Sequence, residues 1–186
     1  MPPYRIDRVR PEDGARLRAI RLQMLQDAPT AYLETYQEAL AQTSEQWRQR
    51  AARRCGPGRT GLVAVDEATG AWVGSMGAYV HQDDPQDDLP QDDPGPGPGS
   101  FAWLVAVWVH PGHRGPRVGV ADRLLDAVVA WARDEAGVER LLLEVHEANA
   151  RAMGFYRRRG FVLTGRSVPY LLDPSANDLE MALRLT

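Results

Sequence analysis

Residues 103–161 read WLVAVWVHPGHRGPRVGVADRLLDAVVAWARDEAGVERLLLEVHEANARAMGFYRRRGF, and this stretch decides the fold. It continues an apolar run from residue 101 to residue 109, the pattern of a strand covered on both faces. The turn HPGHRGPRVGVA, residues 110–121, then sets Gly115 and Gly119 between that strand and an amphipathic helix over residues 119–136. Val120, Leu124, Val128 and Trp131 share one side of that helix. Free backbone N–H groups and the helix dipole at such an entry attract phosphate. A further strand, residues 141–146, leads into NARAMGFYRRRGF, residues 149–161. There a helix over residues 149–159 carries Ala152 and Tyr156 on the face that begins at Asn149, and Gly160 is placed to end it in a left-handed conformation.

Working outward, residues 4–9 suit a short strand, and Pro11 suits the first turn of a helix striped by Leu17, Ile20, Met24 and Leu25 that ends near Pro29. Thr43 or Ser44 caps a second helix with Trp47 and Ala51 turned inward, and Gly56, Pro57 and Gly58 stop it. Residues 62–65 and 72–80 form a hairpin about DEATG, and residues 161–163 and 179–185 supply the closing strands. The predicted order is strand, two helices, three strands, helix, strand, helix, two strands, an α/β arrangement. Residues 81–100 carry QDDP, QDDLP and QDDP before GPGPG, and lack the apolar side chains that would offset the entropy of ordering. They are expected to be a disordered acidic Pro/Gly-rich loop inserted between two strands. Their six aspartates account for the acidity: net minus three, less minus six, leaves plus three for the remainder. A solvated insertion is the simpler reading; electrostatic steering of cationic substrates, which salt would screen, is the functional one.

The whole chain, residues 1–186, fits one domain able to bury about 70% of its unfolded surface. All 22 basic residues are arginine against 25 acidic ones, a balance that argues against general affinity for nucleic acid or anionic membrane. Cys55 is the single cysteine, so no internal disulfide forms, and no Cys/His spacing suggests a metal site. Arg53 and Arg54 beside Cys55 can lower its thiol pKa, yet no partner identifies it as a nucleophile. With no secretory h-region at the N-terminus and no apolar run of membrane-spanning length, a soluble cytoplasmic protein is expected.

The turn at residues 110–121 fits neither rival phosphate motif. A P-loop needs a lysine, which the chain lacks, and the G-x-G-x-x-G spacing is not met by Gly115, Arg117 and Val120. Together the two elements resemble the GNAT superfamily of acetyltransferases, whose loop reads R/Q-x-x-G-x-G/A and whose later element reads N-x-x-A-x-x-F-Y-x-x-x-G-F. The later element is complete in Asn149, Ala152, Phe155, Tyr156, Gly160 and Phe161. In the loop, Arg114 and Gly119 fit and Arg117 stands at the middle glycine. The resemblance implies a mixed, mostly antiparallel central sheet flanked by helices, with a splayed parallel strand pair that binds acyl-CoA. By that resemblance acetyl-CoA is the co-substrate. Its pantetheine would meet the main chain of Val107, Trp108 and Val109, and its pyrophosphate the loop Arg114, Gly115, Pro116, Arg117, Val118, Gly119 and Val120. Asn149 and Tyr156 would also touch it. Pro116 removes one N–H donor from this cradle. Arg117 either strains the turn and crowds the pyrophosphate or grips it through charge-assisted contacts.

Acetyl transfer to an amine needs a neutral amine, a polarised thioester carbonyl and a proton for the departing thiolate. The resemblance makes Tyr156 the acid; a tyrosine packed beside Phe155 is the plain alternative. It also offers Glu144 as base. A carboxylate within LLLEV must face a cleft, a partner or the end of the sheet, and desolvation would raise its pKa. A structural or water-holding role competes, and His146 on the same strand face is its rival. Asn149 also suits a helix cap. His110 and His113 flank the loop, where they either touch phosphate or sit in solvent, and Arg157, Arg158 and Arg159 suit a helix C-terminus without any ligand, a role at the cofactor phosphate being the alternative. On the acceptor side the family's pattern offers Tyr32, Glu34, Tyr36 and Tyr170. The expected function is N-acetyl transfer to a primary amine of a small molecule or a protein N-terminus. The alternative is a GNAT-fold ligand sensor or interaction module without productive catalysis. The expected partner is an amine-bearing acceptor, not nucleic acid or membrane; a homodimer is left open.

Overall fold

The computed structural model describes residues 4–81, 100–115 and 118–185. The chain runs through β1 (Tyr4–Arg8), α1 (Gly14–Asp27), α2 (Tyr36–Ala41), α3 (Ser44–Arg54), β2 (Arg59–Asp66), β3 (Trp72–Val80) and β4 (Phe101–Val109). It continues through α4 (Val120–Asp134), β5 (Arg140–His146), α5 (Ala150–Arg158), β6 (Val162–Tyr170) and β7 (Asp173–Arg184). One seven-stranded sheet has the order β1-β2-β3-β4-β5-β7-β6. Only β4 and β5 pair in parallel; the other neighbours are antiparallel. The mixed, mostly antiparallel sheet expected from the sequence is therefore present. Of the loop expected at residues 81–100 only the two ends are described, and Pro116 and Arg117 also lie outside the described residues.

Local chemistry explains most boundaries. Thr43 caps α3 by accepting from the Gln46 N–H at 3.2 Å, and Gln46 accepts from the Thr43 N–H at 2.7 Å. The same reciprocal box, Thr35 with Glu38 at 3.2 and 2.7 Å, starts α2, an element the periodicity does not reveal because it is only six residues long. The closing strands are much longer than expected. Most of β6 is exposed at the sheet edge, so its polar residues show no inward-outward alternation to read.

The sheet is covered on both faces. Val63 and Val65 pack with Leu17, Ile20, Met24 and Trp47 of α1 and α3, while Leu62 and Ala64 turn to Leu124 and Val128 of α4. Each such aliphatic side chain contributes about 1.5–3 kcal/mol on full burial. Helix α4 lies close against β3. A Cβ at Gly74 would come within 2.9 Å of Leu124 and 3.0 Å of Val120, so the contact requires glycine there.

The feature that positions the site is where β4 leaves β5. Their pairing runs from Phe101↔Arg140 to Trp103↔Leu142 and stops. Between Ser75↔Trp108 and Gly77↔Val105, β4 spends one residue more than β3, and Ala106 takes φ 53°. Such a bulge bends its strand, and here it opens a gap toward β5.

Candidate functional site

At the gap, the His110 N–H donates to the Val73 carbonyl at 2.9 Å, which directs the main chain of Trp108 toward β3. Val107 and Val109 therefore turn their main-chain groups to the side β5 has left. The Tyr32 hydroxyl donates to the Val107 carbonyl at 3.0 Å, and Arg114 Nε donates to the Val109 carbonyl at 2.7 Å. The three successive residues expected on the ligand side thus reduce to two, because neighbouring residues of a strand point their main chain in opposite directions. Trp108 instead buries its ring and donates Nε1 to Asp27 at 2.8 Å. Burial opposes ionisation of Asp27, but Trp108 and then Arg114, its ion-pair partner, hold the carboxyl below its ordinary value.

Beside this strand, Gly115 and Gly119 have φ 117° and 70°, with nothing within 4 Å of the place a Cβ would take. Gly119 precedes α4 directly. The Val118 and Gly119 N–H groups donate to the Gly115 carbonyl at 3.1 and 3.3 Å, and Gly115 with Ala121 and Asp122 of the first turn of α4 lines an opening. A cleft of about 450 Å³ runs from here past Val107, Val109, Asn149 and Tyr156. Arg151 and Arg158 also line it. Arg159 is engaged elsewhere, with Asp122 at 3.4 Å and with Asp126. His113 accepts or donates a 2.8 Å hydrogen bond with the Tyr4 hydroxyl, and His110 accepts from the Gly112 N–H at 3.2 Å.

A second cleft, of about 1120 Å³, lies over β4 and β5 on the face covered by α1 and α3. Tyr32, Val107, Asn149, Ala152 and Tyr156 line both clefts, so the two meet in the gap. Asn149 accepts from the Ala152 N–H at 3.1 Å and caps α5. Tyr156 is buried, with its ring 5.4 Å from those of Phe155 and Phe161. Among the described residues its hydroxyl has no hydrogen-bond partner. Burial, and then Tyr32, push its pKa well above the ordinary tyrosine value. The Tyr32 hydroxyl is pushed up to about 12, first by burial, with Arg21 opposing and Asp27 adding to it.

Glu144 opens onto the second cleft with 37% of its side chain exposed, 3.8 Å from Arg166. Burial, followed by Asp178 and Glu180, raises its pKa. His146 shares its strand face, accepts from the Ala148 N–H at 3.2 Å and meets Tyr170 edge-on at 4.9 Å. Tyr170 lines the cleft; Tyr36 packs against the α1–α3 core and lines neither cleft. Glu34 is held by Arg21 at 2.8 Å and Arg50 at 2.6 Å, so it serves the arginines. Cys55 corrects its expectation. Burial raises the thiol pKa, Asp13 and Glu12 add to the rise, and the lowering by Arg54 is smaller.

Sequence reasoning passed over Arg21, Arg50 and Arg54, all of which line the second cleft. The signal was available: Arg21 stands in the buried stripe of α1, and Arg50 and Arg54 follow Trp47 at i+3 and i+7 on the inward face of α3. Among the described residues no group of His, Cys, Asp and Glu is arranged to hold a metal ion, and no helix is long and apolar enough to cross a membrane.

Comparison with known proteins bears on the family and the fold. The mycothiol acetyltransferase of Salinispora tropica is 31% identical over 167 residues, covering 86% of this chain; the chain spans about half, 48%, of that relative's length. An acetyltransferase of the GNAT family from Streptococcus pneumoniae superposes with a TM-score of 0.74 at 18% identity, over 99% of this chain and 100% of the other. Arabidopsis thaliana NAA60 in complex with acetyl-CoA superposes with a TM-score of 0.68 at 19% identity, over 98% and 99% of the two chains. These two likenesses concern the fold. Residues 21–161 match the Acetyltransferase (GNAT) family, and the chain belongs to it.

Proposed function

We propose that this chain transfers an acetyl group from acetyl-CoA directly to a primary amine. The observation that carries the reading is the meeting of two clefts in the β4–β5 gap, with an unpartnered tyrosine hydroxyl at their junction. A long ligand lying along the α4 side reaches the same point as a second molecule entering over Glu144. The acetyl-CoA bound by Arabidopsis NAA60 supports the identity of the first ligand.

Each residue then has a distinct task. Val107 and Val109 offer main-chain groups along the gap, and the first turn of α4, with Gly115 and Gly119, receives the phosphates. Glu144 takes a proton from the incoming ammonium, directly or through water, and its raised pKa brings it nearer the range of a useful base. The amine nitrogen forms a bond to the thioester carbonyl carbon as the carbon–sulfur bond breaks, and the second proton that the nitrogen then sheds returns, directly or through water, to Tyr156 in place of the one given to sulfur. Tyr156 donates its proton to the departing sulfur; its raised pKa keeps the hydroxyl protonated at neutral pH, and the thiolate has a conjugate acid near pKa 8.5. Asn149 holds the start of α5 so that Tyr156 stays at the junction.

A non-catalytic module would be favoured by Pro116 and Arg117 in the loop, which lie outside the described residues, and no contact among the described residues favours that reading. The test is release of thiol from acetyl-CoA in the presence of amines, for the wild type and Tyr156→Phe. Removing the hydroxyl should lower kcat by roughly 10²–10⁴-fold, the contribution of general acid catalysis, with little change in acetyl-CoA binding. Wild-type kcat in Tyr156→Phe would remove the assigned acid.

A further inference from the structure

We infer that the second cleft selects amines that also carry a carboxylate, and that Arg54 receives that carboxylate. The inference rests on the acetyl-transfer reading and names its acceptor class.

Arg21, Arg50 and Arg54 lie near one another in the lining of the cleft, with Glu34 bound between the first two. Three positive charges less one leave plus two. Arg54 is the member without a counterion. Among the described residues it makes no ion pair, and its only recorded polar contact is Nη1 to the Ser75 hydroxyl at 3.5 Å, the far limit of a hydrogen bond. Its stem lies against Gly61, where a Cβ would come within 3.1 Å of it. Burial, then Arg21 and Arg50, pull its pKa down to about 10, and it remains a cation at neutral pH. A half-buried cation beside like charges is destabilised, and an anion that joins it relieves that cost.

The planar guanidinium fork matches a carboxylate, which it can bind through two parallel hydrogen bonds. Elsewhere the lining carries Glu144, Asp173 and Asp178 with Arg166 beside Glu144, three negative charges against one positive, and this stretch suits an ammonium. One cationic and one acidic stretch fit a zwitterion better than a polyamine, which would meet the arginines with further positive charge. The cleft's volume of about 1120 Å³ has room for a molecule of amino-acid size.

The test assays the twenty standard L-amino acids, their α-amides, O-phosphoethanolamine, spermidine and a short peptide, reading thiol release from acetyl-CoA. The accepted amino acids should exceed their amides in kcat/KM by roughly tenfold to a hundredfold, mostly through KM, as expected when a buried charged group loses its partner. Arg54→Gln should bring the acid-to-amide ratio close to one, and Arg54→Lys should restore part of it. A retained rise of Tm with acetyl-CoA shows that each variant is folded and reports the parent reading separately. The amino acids are also titrated without acetyl-CoA. A Tm rise that Arg54→Gln abolishes supports the carboxylate site even where the donor fails to bind. Equal rates for acids and amides, a preference for spermidine, peptide or O-phosphoethanolamine, or an unchanged ratio in Arg54→Gln overturns the inference. So does the absence of both turnover and Tm response with every amino acid.

Discussion

Glu144 stands in an apolar strand with its carboxyl pKa raised by burial and by Asp178 and Glu180, and this has two opposite consequences. A carboxyl group whose folded pKa lies above its unfolded value adds stability only in its protonated form. That contribution is present below the unfolded pKa and is lost as pH rises through the folded one. At neutral pH the ionised Glu144 is therefore a liability to the fold, and Glu144→Gln should raise Tm near pH 7. The same carboxylate is the proposed base, so wild-type kcat/KM should fall as pH drops through its raised pKa, and the Gln variant should lose both that limb and most of the rate. A lowered Tm together with an unchanged pH–rate profile would contradict both roles. Tyr156 and Asn149 were legible in the sequence because their spacing repeats a family motif. Arg54 was not, because an arginine at i+7 from Trp47 reads as surface until α1 is seen to pack against α3 and the cleft is seen beside them.

At the level of elements, the bulge in β4 does the most to open the site. Ala106 has φ 53°, the one positive value outside glycine among the described residues, and a β-branched side chain fits that conformation poorly. Ala106→Val should destabilise the fold by about 1–3 kcal/mol in denaturant titration and should weaken acetyl-CoA binding, because straightening the strand narrows the gap. Unchanged stability and binding would show that the bulge tolerates a branched residue. Helix α2 depends on its capping box: Thr35→Ala should cost about 1 kcal/mol by the same measurement. That helix was hidden in the sequence because six residues carry too little periodicity, although Thr35 and Glu38 were there to be read as a box. The extensions of β6 and β7 were hidden for another reason. A strand that pairs at an exposed edge is fixed by its neighbour's main chain, which leaves no mark on its own side chains.

Across the whole molecule, α1 to α3 cover one face of the sheet and α4 and α5 the other, and the clefts left on the two faces meet where β4 and β5 part. The apolar runs and the helix order made this layering readable, since strands covered on both faces announce themselves in composition. The gap itself depends on a single extra residue in β4, a matter of register that no composition records. The central claim is that the α4-side cleft holds acetyl-CoA, and the most direct measurement is Tm with and without saturating acetyl-CoA. At a hundred times its Kd a ligand adds about 2.7 kcal/mol, which for a chain of this length is a rise of roughly 5–11 °C. That rise is the predicted result, and an unchanged Tm at millimolar acetyl-CoA would contradict the account.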